Sequence, residues 1–320
     1  MNELLQVRNL VAGFPEHGGF SPAVDGVDLQ VAPGRIIGVV GESGCGKTML
    51  VRAMMGLMKP PGQVREGSIL WQGTDLLRLP QKELQKIRGN EISMIFQEPM
   101  SSLNPVVPVG KQVAEVLRLH TKLSPRQIRG RVVELFQQVG IAQPESRLSA
   151  YPHELSGGLR QRVMIAMAMA CSPKLLLADE PTTALDVTIE AQILRLMEHL
   201  RRDFGASILL ISHNLGVVAQ ICDWVYVMYA GRIVEQAPVL ELFESPRHPY
   251  TRGLLEIVRA MDGQREELPA IGGTVAPMGA WRQGCAFAPR CPYATDRCRA
   301  EAPALTGDGH KTRCFQEVTG

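Results

Sequence analysis

The chain has 320 residues, 45% apolar and 21% charged. That is enough for one large domain with an appendage, or for two ordinary domains with a sizeable core. Lys and Arg number 34 against 32 Asp and Glu, a net charge of +2, which excludes the strongly basic surface of a dedicated nucleic-acid coat. The longest uninterrupted apolar run, residues 163–171, is nine residues long, about half of the ~18 that span a bilayer. The opening MNELLQVRN lacks the charged start and apolar stretch of a secretion signal. The expectation is a cytosolic chain, one that can still bind a membrane protein.

Strands are predicted at 35–40, 92–96, 174–178, 207–211 and 224–229, as nearly continuous apolar runs of the kind covered on both faces. Helical patterns occupy 47–58, 111–120, 124–140, 159–170 and 188–204. This alternation predicts an α/β fold with a mostly parallel sheet and helices on both faces. In such folds ligands gather at the carboxyl ends of the strands. Residues 246–249 are turn-like and 262–284 are rich in Gly, Pro and small residues, so a boundary is placed near residue 250. There is no internal repeat and no low-complexity tract.

After the strand 35–40 the chain reads Gly41-Glu-Ser43-Gly44-Cys45-Gly46-Lys47-Thr48 and enters a helix, the full P-loop pattern in its strand–loop–helix setting. Glycines let backbone N–H groups approach phosphate oxygens. The helix start adds a positive dipole end, Lys47 a point charge and Thr48 a hydroxyl for Mg²⁺. An ordinary Gly-rich turn explains the glycines but not the whole pattern, so nucleoside triphosphate binding is expected. The strand 174–178 leads into Asp179-Glu180. Asp179 suits a Mg²⁺ ligand, and Glu180 can take a proton from an attacking water. Without the P-loop the pair would read as a solvated acidic turn before Pro181. Gln97 and Ser212-His213 follow two other strands. On the residues alone each is equally well a turn residue or a catalytic one.

A second helix start, Leu155-Ser156-Gly157-Gly158-Leu159-Arg160-Gln161-Arg162, has Ser156 as a good N-cap and two glycines that leave N–H groups open to an anion. Plain capping of a buried helix is the alternative, and it needs no Gly-Gly. Over residues 4–250 the set resembles the ATP-binding cassette ATPases. GESGCGKT resembles Walker A, Gln97 the Q-loop, LSGGLRQR the signature, LLLADEP Walker B, Ala184-Leu185-Asp186 the D-loop and His213 the switch histidine. The resemblance implies a P-loop NTPase nucleotide-binding domain over residues 1–250, with a helical and signature subdomain at about 98–165. It implies that Lys47, Gln97, Glu180 and His213 act in catalysis, and that Thr48, Gln97 and Asp179 hold Mg²⁺. ATP would be bound by residues 41 and 43–48, with Phe14 against adenine (Phe20 the weaker option). Two cassettes pair head to tail in that family, so Ser156, Gly157, Gly158 and Asp186 would serve the nucleotide shared with a partner.

The last four cysteines run Cys285-x5-Cys291-x6-Cys298-x15-Cys314. Disulfides are disfavoured in a reducing cytosol, and the paired CxxC of many zinc sites is absent. Four thiolates suit zinc or an iron–sulfur cluster, and unligated thiols are the third reading. GCAFAPRCPYATDRC with Cys314, and RHPYTRGLL at 247–255, resemble the C-terminal extension of the oligopeptide/dipeptide/nickel importer ATPases. The stretch LPAIGGTVAPMGAW departs from the Pro-richer version usual there. The resemblance implies a small Cys-rich extension over 251–320 carrying a structural [4Fe–4S] cluster, with zinc as the lesser alternative. It also implies ATP hydrolysis that powers uptake of di- or oligopeptides or a related small solute. The partners would be a second cassette of a different chain, two integral membrane permease subunits and, indirectly, an extracytoplasmic solute-binding protein. No nucleic acid is expected. The setting would be the cytoplasmic face of the bacterial cell membrane, with EPMSSLNP (98–105) in the region lying against the permease. A nucleic-acid- or ribosome-associated ATPase and a redox-sensing ATPase are the other readings; the single cassette and near-neutral charge disfavour the first.

Overall fold

The chain begins one unit, leaves it near residue 78 and returns to it at 210. Unit 1 comprises residues 1–32, 36–77 and 210–320, and unit 2 residues 33–35 and 78–209. The computed structural model describes residues 3–97, 102–183, 185–260, 271–275 and 283–316. Ala184, residues 98–101 of the expected permease-facing segment and most of the expected linker lie outside them.

Unit 1 opens with β1 (Leu5–Glu16) and β2 (Gly19–Val31), followed by β3 (Ile36–Val40), α1 (Lys47–Met54), β4 (Gln63–Trp71) and the two-residue β5 (Thr74–Asp75). Strands β2-β1-β4-β5 form an antiparallel sheet that is absent from the expected elements. Register shifts between Val7 and Leu10 explain why. They move the buried set from Leu5 and Val7 to Leu10 and Ala12, which breaks the two-residue period that marks a half-buried strand. β3, Ile-Ile-Gly-Val-Val, is buried throughout, as its apolar run predicts. α1 ends at Met54 rather than 58, because Gly56 turns the chain at φ 59°.

Unit 2 contains α2 (Gln81–Ile87), β6 (Ile92–Ile95), α3 (Val109–His120), α4 (Pro125–Gln138), α5 (Gly157–Ala168), β7 (Leu175–Asp179) and α6 (Val187–Phe204). β6 and β7 run parallel, from Ile92 opposite Leu175 to Ile95 opposite Ala178. Sequence sets the helix ends. Ser124 and Gln127 form a capping box before α4. Asp186 accepts from Ile189 N–H at 2.9 Å to start α6, and Gly205, at φ 66°, stops it. Leu117, Val132, Leu135, Phe136 and Val163 bury the facing sides of α3, α4 and α5. β8 (Ser207–Ser212) begins in this unit, where Ser207 N–H donates to Lys174 and Ile208 N–H to Arg35.

Back in unit 1 come α7 (Leu215–Ile221), β9 (Trp224–Tyr229), β10 (Arg232–Pro238), α8 (Val239–Glu244), α9 (Pro249–Arg259), α10 (Asp296–Ala300) and β11 (Lys311–Thr312). β9 lies parallel to β3 and antiparallel to β10, which pairs β11 on its other edge. The fully buried Glu235 on β10 holds this region together. Its carboxylate accepts from the N–H groups of Arg247 (2.6 Å) and His248 (3.1 Å) and pairs with His310 Nε2 at 2.6 Å. No helix among the described residues is long and apolar enough to cross a membrane.

Candidate functional site

The P-loop is wedged between β2 and the turn from β9 to β10. Gly46, at φ 106°, sits so close to β2 that a Cβ would lie 2.2 Å from the Ala23 carbonyl oxygen. A Cβ on Gly41 would meet the Met228 carbonyl at 2.1 Å. Only glycine fits either place, which is the steric reason for the motif's spacing. Gly231 N–H donates to the Cys45 carbonyl at 2.8 Å and braces the loop from the other side. The N-cap of α1 is Gly46, which makes no side-chain cap, so the helix start and its positive dipole end face the loop. Ser43 and Gly44 are exposed at the tip. Lys47 is only 4% exposed. Its ammonium folds onto the loop, donating to the Gly41 carbonyl at 2.7 Å and the Glu42 carbonyl at 3.0 Å. An ammonium held at this place on the loop is suited to a triphosphate anion. Thr48 follows on the same turn of α1.

Phe14 lies on β1 opposite Ser21 of β2, half-buried, with its ring edge against Gly62. Phe20 instead lies under the Arg65 guanidinium, 5.2 Å from the ring centre. His213 is exposed at the end of β8. The turn around it is built by Ser212 Oγ, which accepts from Asn214 N–H at 2.9 Å, and by the Asn214 side chain, which caps α7 through Gly216 N–H at 2.9 Å.

In unit 2 the strand ends bring together Gln97 and Glu180, which are 83 residues apart in sequence. Gln97 Nε2 donates to Glu180 Oε2 at 3.1 Å. Thr183 Oγ1 donates to the same oxygen at 2.9 Å. Asp179 is 2% exposed at the last position of β7, and Glu180 is 9% exposed at φ 47°. A non-glycine residue held in the left-handed region beside a buried carboxylate is strain of the kind stored at functional sites. Both donors hold the carboxylate through Oε2. Thr183 was not singled out from the sequence, since a threonine after Pro-Thr carries no signal of its own.

The α5 start separates its two glycines. Ser156 accepts from Leu159 N–H at 3.4 Å as the N-cap. A Cβ on Gly157 would meet nothing within 4 Å, whereas one on Gly158 would come within 3.0 Å of Ile189 Cγ2 on α6. Gly158 therefore permits close packing of α5 on α6, and Gly157 keeps an open approach to the helix start. Asp186 has its carboxylate engaged in capping α6.

Comparison with known proteins decides the family. Residues 24–183 match the family model described as "ABC transporter". Residues 234–298 match "Oligopeptide/dipeptide transporter, C-terminal region". The chain belongs to the ABC transporter family. An "Oligopeptide transport ATP-binding protein AppD" of Bacillus subtilis is 50% identical over 318 residues, covering 98% of this chain and 97% of the relative. A "Dipeptide transport ATP-binding protein DppD" of Escherichia coli is 46% identical over 313 residues, covering 97% and 96%. Among solved structures, the dimeric ATP-binding cassette MJ0796 in a post-hydrolysis state with ADP and Pi matches with a TM-score of 0.66 at 25% identity. It covers 73% of this chain and 98% of its own length. The family fold is thus an α/β ABC ATPase with a further C-terminal segment.

In that segment Cys285, Cys291, Cys298 and Cys314 all line one small, apolar cavity with Phe287 and Phe315. Cys285 N–H donates to the Cys298 carbonyl at 2.7 Å. Burial raises the thiol pKa of Cys285 and Cys291 and pushes that of Cys314 up to about 11, with proximity of the other thiols adding to each. Four thiols are the right donors in kind and number for a four-thiolate group. The sulfurs do not stand at ligand spacing, since no three metal-binding side chains converge among the described residues. Two thiols are turned toward neighbours: Cys314 Sγ donates to the Gln316 carbonyl at 3.0 Å, and Cys298 Sγ lies 3.3 Å from Thr295 Oγ1.

Proposed function

We propose that this chain is the ATP-hydrolysing subunit of an importer that powers uptake of di- or oligopeptides across the bacterial cell membrane, working from its cytoplasmic face. The observation that carries this reading is the joint presence, on one chain, of the ABC transporter match and the oligopeptide/dipeptide C-terminal match. Full-length likeness to oligopeptide and dipeptide transport ATP-binding proteins supports it.

In this reading residues 1–250 are the ATPase domain, with residues 98–165 as the helical subdomain, and residues 251–320 the extension. The N–H groups of residues 43–48 and the Lys47 ammonium bind the triphosphate, and Phe14 stacks on adenine. Thr48, Asp179 and Gln97 would hold Mg²⁺, which neutralises phosphate charge when bound. Glu180, held by Gln97 and Thr183, accepts a proton from water. His213 donates toward the transferred phosphoryl group, and positioning with charge compensation supplies the rate. Ser156, Gly157, Gly158 and Asp186 serve the nucleotide of a second cassette, a different chain, which the exposed and unfilled start of α5 favours. Two membrane permeases and, through them, an extracytoplasmic binding protein complete the importer. Cys285, Cys291, Cys298 and Cys314 would hold a [4Fe–4S] cluster, in preference to zinc, that fixes the fold of the extension.

The test is uptake of labelled peptides into vesicles carrying the complete transporter. ATP-dependent accumulation is expected, and Lys47→Ala should abolish it; ATP hydrolysis that moves no peptide overturns the cargo. Anaerobic purification should yield a brown protein with about four irons per chain. Colourless protein holding zinc alone overturns the cluster.

A further inference from the structure

The cysteine segment reaches the P-loop directly. Arg290, the residue before Cys291, forms a two-pronged ion pair with Glu42, the second residue of the P-loop motif. Its Nη1 lies 2.6 Å from Oε2 and its Nη2 3.0 Å from Oε1. The Arg290 side chain is 5% exposed, and its guanidinium lies over the rings of Tyr229 and Phe287. It is held in turn by the carbonyls of Ile271 (3.1 Å) and Gly272 (2.8 Å). A second contact comes from α9, where Tyr250, fully buried, accepts from Glu42 N–H at 2.8 Å. Both atoms of Glu42 that could move the loop, its N–H and its carboxylate, are thus anchored by residues more than 200 positions later.

We propose that Arg290 is a positioning residue for nucleotide binding, acting through Glu42. This rests on the reading that residues 41 and 43–48 bind ATP. Two physical effects combine. The fork fixes Glu42, and with it the Gly41 and Glu42 carbonyls that hold Lys47. The guanidinium also cancels a negative charge placed in a loop that must accept a triphosphate. Losing the buried cation leaves the partly exposed Glu42 carboxylate uncompensated beside the loop, which repels the ligand. The C-terminal extension therefore contributes to ATP affinity as well as to its own fold.

The experiment measures the Kd and KM for Mg-ATP on the full chain, alone and in the assembled transporter. Arg290→Met keeps the packing on Tyr229 and Phe287 and should raise both constants about tenfold, with kcat within twofold. Arg290→Lys keeps the charge but not the fork and should fall between. Adding Glu42→Gln to Arg290→Met removes the stranded charge and should recover part of the loss. The exposed Arg297→Met, in the same segment, should change nothing. Wild-type affinity in Arg290→Met overturns the proposal, as does a double variant with no recovery, which would mean that Arg290 acts other than through Glu42. Should Arg290→Met not fold, Tyr250→Phe decides in its place. It frees the Glu42 N–H without loss of volume, and unchanged ATP affinity there overturns the anchoring role of Glu42. A wild-type chain that binds no Mg-ATP would instead refute the reading of the P-loop itself.

Discussion

The molecule has two helix starts suited to anions, and they are built differently. At α1 the loop is enclosed: Gly41 and Gly46 touch backbone, Lys47 is folded inward, and Glu42 is clamped by Tyr250 and Arg290. At α5 the helix start is exposed, capped only by Ser156, and Gly157 faces empty space. The first is a finished cradle that needs only its ligand. The second supplies no lysine and, among the described residues, no contact at Gly157, which suits the proposed half-site completed by another subunit.

Substitution by alanine at one glycine of each should break or sharpen that contrast. At Gly46 the new Cβ has no room and the φ is wrong, so Gly46→Ala should cut Mg-ATP affinity by at least about 100-fold, equivalent to ~2.7 kcal/mol. Titration calorimetry on the isolated chain reads this, and affinity within tenfold of wild type would mean the cradle is less rigid than its contacts imply. A smaller effect is expected at the carboxylate. Thr183→Val removes the Thr183 donor to Glu180 Oε2 and should lower kcat of the assembled transporter about tenfold while leaving KM within twofold. An unchanged kcat would mean that Thr183 does not orient Glu180. The smallest structural effect belongs to Gly157→Ala. With nothing within 4 Å, it should not lower the melting temperature of the isolated chain, yet it should reduce ATP turnover in the two-cassette assembly. Equal turnover would deny the open helix start its role toward a partner.

Much of this was legible locally. The P-loop, the paired carboxylates and the Ser-Gly-Gly start lie within a few residues each, and the continuous apolar runs of β3, β7 and β8 gave their strands directly. Helix α1 ran shorter than expected because Gly56 was available as a stop and outweighed the apolar pattern beyond it. The antiparallel sheet was hidden by the irregular register of β1, where Asn9 takes φ 44° between the shifts. What no local pattern could carry is the coupling of distant segments. Glu42 and Arg290 are 248 residues apart, and the buried Glu235 meets His310 across 75. Arg290, Glu235 and His310 look like ordinary surface groups until the fold removes them from water.

The most direct measurement is ATP turnover by the assembled transporter carrying Glu180→Gln in this chain, with the other cassette's site already inactivated. Glutamine keeps the size and the contact with Thr183 but cannot accept the proton from water, so steady-state hydrolysis should fall at least about 100-fold while Mg-ATP still binds. Turnover at the wild-type rate would contradict the assignment of Glu180 and, with it, the claim that this chain's own site hydrolyses ATP through that carboxylate.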